Sequence, residues 1–164
     1  AREQSDIDVD LPNGTHGQEY LKTLNEWLPK LCCGVNYGNT STDTDTGTGT
    51  GAGTDTDNKN TTITITTSQP ILPNYQFPKP DLIFYQAGVD ILSSDRLGKL
   101  NLSRDDCRLR NEIVYQIAKK ERIPIVVTMG GGYPKDLTPN SETYEQVIGA
   151  HCDVYAQILS VYND

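Results

Sequence analysis

Two short segments combine a buried-strand pattern with residues that could do chemistry. The first, residues 80–90, has the sequence PDLIFYQAGVD and ends in the carboxylate of Asp90. The second, residues 123–133, has the sequence IPIVVTMGGGY and ends in three glycines and the phenol of Tyr133. In open α/β sheets, ligands lie at the carboxyl ends of parallel strands. A metal-ligand acid at one strand end and a hydroxyl donor at another could therefore face one site.

Asp90 follows its hydrophobic strand after Ala87 and Gly88, small residues that let the backbone turn tightly or approach a ligand. A single aspartate in this place is compatible with a metal ligand, a helix cap or a turn residue. Spacing alone leaves the three interpretations open.

The run Gly130–Gly132 followed by Tyr133 also has more than one interpretation. Consecutive glycines expose backbone N–H groups, as a phosphate cradle does, but the G-x-G-x-x-G spacing and a following Gly-Lys-Ser/Thr are absent. Pro134 also removes an N–H immediately after the run. Alternatively, the glycines form the wall of a narrow channel, and the Tyr133 hydroxyl donates to a carbonyl oxygen as negative charge builds. A strand-to-loop turn with a packed tyrosine is the structural alternative.

The elements that must position these residues alternate between strand and helix. Patterning predicts a buried strand at 82–85, a helix at about 103–122, a second buried strand at 125–128 and a helix at about 141–161. Each helix begins at a serine that can cap its N terminus. A βαβα order with short connections predicts an α/β fold with a parallel sheet.

The first 37 residues are predicted to supply one more strand and one more helix. Alternation at 7–11 predicts a strand, and helical spacing at 16–28 predicts a helix that Thr15 caps and Pro29 ends. We assign residues 1–37 to the same domain as residues 78–164.

Between these parts lies a Thr/Asp/Gly-rich segment, residues 38–77. It contains too few apolar groups to offset the entropy of ordering the chain, so we expect a disordered insert. The alternating stretch 61–66 could form a marginal strand, and disorder is the preferred interpretation there too.

Composition limits the possible partners. The net charge of −8 argues against a general nucleic-acid binder, although an acidic surface would attract a cationic substrate. No apolar run is long enough to cross a bilayer, and no targeting signal is visible, so we expect an intracellular protein of the nucleus, the cytoplasm or both. Neither His16 nor His151 has a ligand partner at helical spacing, and we interpret both as structural or exposed.

Taken together, these segments resemble the C-terminal part of the zinc-dependent histone deacetylase family. The stretches that carry the resemblance are PDLIFYQAGVDIL at 80–92, DRLGKL at 95–100 with Leu102-Ser103, RNEIV at 110–114 and IPIVVTMGGGY at 123–133. The DRLGKL stretch, the Tyr-x-Lys-Asp that ends at Asp136 and the opening IDVDL are most similar to class IV and its bacterial relatives. The resemblance covers about residues 1–30 and 78–160 and implies a three-layer α/β/α arginase/deacetylase-like fold.

In that family, Zn²⁺ held by Asp, His and a second Asp hydrolyses the amide of an acyl-lysine. By resemblance, Asp90 matches the second aspartate, and Tyr133 matches the tyrosine that polarises the carbonyl. Gly131 and Gly132 match glycines that line the acyl-lysine tunnel, and Leu97 matches a position on its rim. The implied cofactor is Zn²⁺, and the implied partner is an acetyl-lysine protein or peptide.

The sequence departs from the family because the Asp-x-His pair and the adjacent histidines are absent from these 164 residues. We therefore expect a C-terminal fragment, inactive and poorly folded by itself, whose remaining zinc ligands lie upstream. Two alternatives stay open: an inactive deacetylase-like remnant that binds a protein partner, and a same-fold hydrolase of acetylpolyamines or longer acyl chains. A phosphate-binding α/β domain is a more distant third.

Overall fold

The computed structural model describes residues 7–33, 64–67 and 77–163. These residues form four strands and three helices, in the order β1 Ile7–Asp10, α1 Gly17–Cys32, β2 Thr64–Thr67, β3 Ile83–Gln86, α2 Arg104–Glu121, β4 Ile125–Thr128 and α3 Glu142–Tyr162.

Strands β3 and β4 form the parallel pair that the sequence predicts. Their register pairs Ile83 with Ile125 and Gln86 with Thr128, and α2 connects the two strands. Backbone bonding continues past the strand ends, because the Val89 N–H donates to the Gly131 carbonyl at 2.7 Å. The predicted βαβα order is therefore confirmed, and the two loops that carry the chemistry leave the same end of the sheet.

The three helices cover only one face of this sheet. Tyr85 of β3 and Val127 of β4 pack against a cluster that includes Tyr115 of α2. On the opposite face Phe84 is 73% exposed, and Val126 is also exposed. Parallel strands are usually covered on both faces. The sequence prediction of two buried strands is thus wrong for this outer face, since nothing in the described part of the chain packs over it.

The main core lies directly under the loops that follow β3 and β4. Its buried members come from the loop after β3 and from α2 and α3: Ala87, Val89, Leu92, Leu102, Cys107, Val147, Ala150 and Val154. The Tyr115 hydroxyl, fully buried, donates to the Val154 carbonyl at 2.8 Å and ties α2 to α3. A close-packed base of this kind holds the overlying loops in one arrangement.

The predicted N-terminal strand is present and has a partner. β1 pairs with β2 in antiparallel register, with Ile7 opposite Thr67 and Asp10 opposite Thr64. Residues 64–67 therefore form a strand within the segment expected to be disordered, because pairing satisfies backbone groups that either strand alone would leave open. Residues 38–63 and 68–76 of the predicted insert lie outside the described residues.

Helix boundaries agree with the sequence where capping is local. Ser103 caps α2 in a reciprocal capping box with Asp106, and Ser141 accepts a hydrogen bond from the Tyr144 N–H at the start of α3. Arg122, at φ 55°, ends α2 in the left-handed conformation. No helix in the described ranges combines the length and apolar character that a membrane span requires.

The predicted limits of α1 are wrong at both ends. The Thr15 hydroxyl donates to the Pro12 carbonyl at 2.8 Å and closes a turn, so the N-cap residue is His16. The helix also continues through Pro29 to Cys32. Trp27 and Cys32, one on each side of the proline, are buried. Their burial offsets the hydrogen bond that proline removes from a helix.

Candidate active site

The carboxylate of Asp90 lies against the glycine run that follows β4. A Cβ atom placed on Gly131 would be 2.6 Å from Oδ2 of Asp90, and one placed on Gly88 would be 3.1 Å from Oδ1. Parallel pairing of β3 with β4 brings the two strand ends to this distance. The structure thus places together Asp90 and Gly131, two residues that the sequence assigned to one site.

The three glycines of the run face different surroundings. A Cβ on Gly130 would be 2.6 Å from the Cα of Gly88, so the backbones of these two residues lie in close contact. A Cβ on Gly132 would meet Cγ2 of Val89 and Nε2 of His151, at 2.6 and 2.7 Å. Gly131 therefore faces Asp90, whereas Gly132 faces the core and the imidazole of His151 on α3.

Tyr133 and Leu97 lie on two loops that are joined to each other. The side chains of both residues are exposed, so a ligand could reach them. The Arg96 N–H donates to the Tyr133 carbonyl at 2.9 Å, and the Lys135 N–H donates to the Ser94 carbonyl at 3.1 Å. This short antiparallel bridge keeps the predicted rim residue and the predicted phenol on neighbouring backbones.

The sequence-based site did not include Asp95, which holds the same two loops from inside. Asp95 as a whole is 4% exposed, and its carboxylate accepts hydrogen bonds from the N–H groups of Leu97, Gly98 and Tyr133. An aspartate that bonds to backbone N–H groups two and three residues later is a recognisable local turn pattern. That signal could have found the contacts to Leu97 and Gly98, but the contact to Tyr133 spans 38 residues.

A second residue outside the predicted site, Arg110 of α2, supports the strand end before Asp90. Its buried guanidinium donates to the Gly88 carbonyl at 2.6 Å and to the Asn111 side chain at 2.9 Å. Its Cζ atom also lies 5.6 Å from the centroid of the Tyr85 ring. No ion pair joins this guanidinium to a carboxylate of the described residues. Its positive charge is therefore not neutralised by one of them and lowers the pKa values of neighbouring groups.

Burial and the charge of Arg110 control protonation beneath the loops. Burial, and then the charge of Arg110, lowers the pKa of His151, which favours the neutral imidazole. Burial raises the pKa of the Cys107 thiol to about 11. That thiol is therefore protonated at neutral pH and is a poor nucleophile.

The described residues do not by themselves complete a zinc site. Among them, no three His, Cys, Asp or Glu side chains are grouped so that they could hold one metal ion. Catalytic zinc normally has three protein ligands. Asp90 can be one of these at most.

Comparison with known proteins identifies the family of this chain. The family model described as histone deacetylase domain matches residues 36–149, more than half of the chain. The chain belongs to the histone deacetylase domain family. This membership implies the arginase/deacetylase fold, so the fold class expected from the sequence is confirmed.

Individual relatives match shorter stretches of this histone deacetylase domain. Histone deacetylase 2 of Arabidopsis thaliana is 44% identical over 57 residues, which are 35% of this chain and 15% of that protein. An uncharacterized protein of Picosynechococcus sp. is 36% identical over 77 residues, 47% of this chain and 26% of its own length. Histone deacetylase 9 of Arabidopsis thaliana is 42% identical over 67 residues, 41% of this chain and 15% of that protein. The matched part of this chain thus spans about a quarter or less of each relative.

Proposed function

We propose that the native protein containing this chain is a zinc-dependent lysine deacylase, most similar to class IV histone deacetylases. The observation that carries the proposal is the contact between Asp90 and Gly131, which places a carboxylate beside the loop that ends in Tyr133. Membership in the histone deacetylase domain family supports the same activity. The substrate class is an acetyl-lysine protein or peptide, and the cofactor is Zn²⁺.

Within this proposal the chain supplies one metal ligand and one hydrogen-bond donor. Asp90 is the carboxylate ligand, and the remaining ligands come from sequence outside these 164 residues. The exposed phenol of Tyr133 donates to the amide carbonyl oxygen of the substrate, where negative charge builds in the transition state. Leu97 contacts the substrate at the rim, and the backbone of Gly131 and Gly132 lines the tunnel for the acyl-lysine chain.

A non-catalytic role is the second candidate, and one observation favours it. The outer face of the β3–β4 pair exposes Phe84 and Val126. A deacetylase-like remnant could use that apolar face to bind a protein partner. This candidate and the enzyme differ in zinc content, because only the enzyme needs a bound metal.

The decisive experiment measures zinc content and hydrolysis of an acetyl-lysine peptide by the native full-length protein. Asp90→Asn is expected to lose zinc and activity, since an amide is a poor replacement for an anionic ligand. Tyr133→Phe is expected to keep zinc and to lower turnover by roughly a hundredfold or more, the cost of removing one oxyanion donor.

Matched controls separate these roles from general damage. Tyr155→Phe removes a hydroxyl from α3 at a side chain 41% exposed, close to the 43% of Tyr133, and should leave zinc and turnover unchanged. Asp81→Asn removes an exposed carboxylate before β3 and should do the same. Full activity in Tyr133→Phe would remove the phenol from the mechanism. A native protein with neither zinc nor activity would favour the partner-binding candidate.

A further inference from the structure

Asp95 is the one buried carboxylate within the described residues that contacts both loops of the site. We propose that Asp95 is a positioning residue that holds the rim residue Leu97 and the backbone of Tyr133 at a fixed separation. The proposal rests on the deacylase function proposed above, because it concerns the placement of that enzyme's phenol.

Each oxygen of the Asp95 carboxylate contacts a different loop. Oδ1 accepts from the N–H groups of Leu97 and Gly98, both at 2.7 Å. Oδ2 accepts from the N–H of Tyr133 at 2.5 Å. Hydrogen bonds to an ionised acceptor are shorter and stronger than neutral ones. Asp95 is 4% exposed, so its carboxylate has lost its hydrogen bonds to water. The three hydrogen bonds from N–H groups replace them.

The chemistry of this junction requires a carboxylate. All three partners of Asp95 are N–H donors, and an ionised carboxylate offers acceptors only. An asparagine would present one oxygen and one NH₂ group, so in either orientation its NH₂ would face an N–H of one loop. The Asp95 side chain is thus suited to join the two loops in a way that no neutral isostere can reproduce.

The backbone bridge beside Asp95 lets the positioning role of its side chain be tested while the two loops stay paired. The hydrogen bonds from the Arg96 N–H to the Tyr133 carbonyl and from the Lys135 N–H to the Ser94 carbonyl do not use the carboxylate. They keep the loops adjacent when the side chain is changed. We therefore expect a change at Asp95 to release the Tyr133 N–H while the surrounding backbone stays paired.

Hydrogen exchange of individual amides in the native full-length protein tests this inference without any need for activity. In Asp95→Asn the Tyr133 amide is expected to exchange about ten- to a hundredfold faster, the range for a lost hydrogen bond to a charged group. The amide of Val89, which donates to the Gly131 carbonyl, should keep its rate. The control Asp81→Asn removes an exposed carboxylate and should change neither rate.

Two results would overturn the proposal. One is an unchanged Tyr133 exchange rate in Asp95→Asn, and the other is equal acceleration at Tyr133 and Val89, which indicates loss of general stability. If Asp95→Asn does not fold, the unsubstituted full-length protein decides. A Tyr133 amide that exchanges as fast as a free loop amide would mean that the hydrogen bond to Asp95 is absent.

Kinetics of the native full-length protein test whether Asp95 acts through Tyr133. Asp95→Asn is expected to lower kcat about tenfold or more, and to lower it no further when Tyr133→Phe is already present. A purely structural Asp95 would lower kcat by the same factor in both backgrounds, which would contradict the proposal. If the native protein has no deacylase activity, the proposed function fails, while the exchange result still decides whether Asp95 positions Tyr133.

Discussion

Oδ2 of Asp90 occupies the space that a side chain on Gly131 would need, since a Cβ there would be 2.6 Å away. The carboxylate can take this position only because residue 131 has no side chain. The adjacent Gly130 has no room for a side chain for a different reason, because a Cβ there would be 2.6 Å from the backbone of Gly88. One glycine therefore accommodates a movable side chain, and its neighbour accommodates fixed backbone.

Gly131→Ala is expected to move the Asp90 carboxylate and leave the fold intact. The two nearest obstructing atoms, Oδ2 and Cγ of Asp90, can rotate away, and Cβ of Asp90 at 3.0 Å requires only a small shift. The loss of unfolding free energy should therefore be about 1 kcal/mol, at the low end of overpacking costs. In the native full-length protein, zinc content and deacylase activity should both fall, because the candidate ligand has moved. Urea denaturation and metal analysis, both of the native full-length protein, check the two parts.

Gly130→Ala is expected to cost more unfolding free energy than Gly131→Ala. The new methyl group would press on the Gly88 backbone, which cannot rotate away, so overpacking should cost roughly 1–3 kcal/mol of unfolding free energy. Urea denaturation compares it directly with Gly131→Ala. Equal loss of stability in the two variants would contradict the assignment of a side-chain contact to one glycine and a backbone contact to the other.

A fork-shaped ion pair joins the start of α2 to α3. Nε of Arg104 lies 2.5 Å from Oδ2 of Asp153, and Nη2 lies 2.9 Å from Oδ1. The Arg104 guanidinium holds the pKa of Asp153 below its usual value of 3.8. Because the folded-state pKa is lowered, the pair contributes its full stability above pH 3.8, and that stability is lost as the pH falls further.

Asp153→Asn should therefore reduce the unfolding free energy at pH 7 by roughly 1–3 kcal/mol, as for hydrogen bonds to a charged group. The difference from the unsubstituted protein should shrink below pH 3.8, where Asp153 is protonated first in the unfolded state and then, at its lower pKa, in the folded state. Urea denaturation at pH 7 and at pH 3 measures both values. Asp105→Asn, at an exposed carboxylate that lies 3.4 Å from Arg108, is the control and should have a much smaller effect.

Titration of His151 should make the unfolding free energy depend on pH in a second range, at higher pH. Burial and the charge of Arg110 lower its pKa below 6.5, so the unfolded chain binds more protons than the folded chain just below that value. Stability should fall as the pH drops from 6.5 through the lower folded-state pKa. His151→Asn removes this titration and should flatten the stability curve between pH 7 and pH 5. An identical slope in the two proteins would show that His151 has no part in it.

Local chemistry explains which parts of this structure the sequence predicts. Helix α2 is predicted from a local signal, because Ser103, the expected N-cap, accepts a hydrogen bond from the Asp106 N–H three residues later. The parallel pair followed from the βαβα order, and the rule on strand ends predicted that the loops of Asp90 and Tyr133 leave the same end of the sheet. The predicted end of α1 at Pro29 is wrong because proline is a local signal, whereas the burial of Trp27 and Cys32 depends on tertiary packing.

Contacts between distant residues account for what the sequence did not predict. Asp95 meets Tyr133 across 38 residues, and Arg104 meets Asp153 across 49 residues. Neither pair has a spacing that a single sequence could mark. The exposed face of β3 was also missed, because a short apolar run looks the same whether one face or both are covered.

The outer face of the β3–β4 pair leads to the last prediction. Phe84 is 73% exposed there, is paired with the exposed Val126 of β4, and is followed toward the start of β3 by the exposed Leu82. Contiguous apolar surface of this kind promotes association in water. The 164-residue chain should therefore self-associate as its concentration rises, and Phe84→Lys should reduce that association by placing a charge in the middle of the face.

Leu159→Lys is the matched control for this face. Leu159 lies on α3 and is 62% exposed, so the substitution makes the same exchange of an apolar group for a charge away from the sheet. Sedimentation velocity over a range of concentrations should show less association in Phe84→Lys and no change in Leu159→Lys. An equal decrease in both would attribute the effect to net charge, whereas no decrease in Phe84→Lys would show that this face does not drive association.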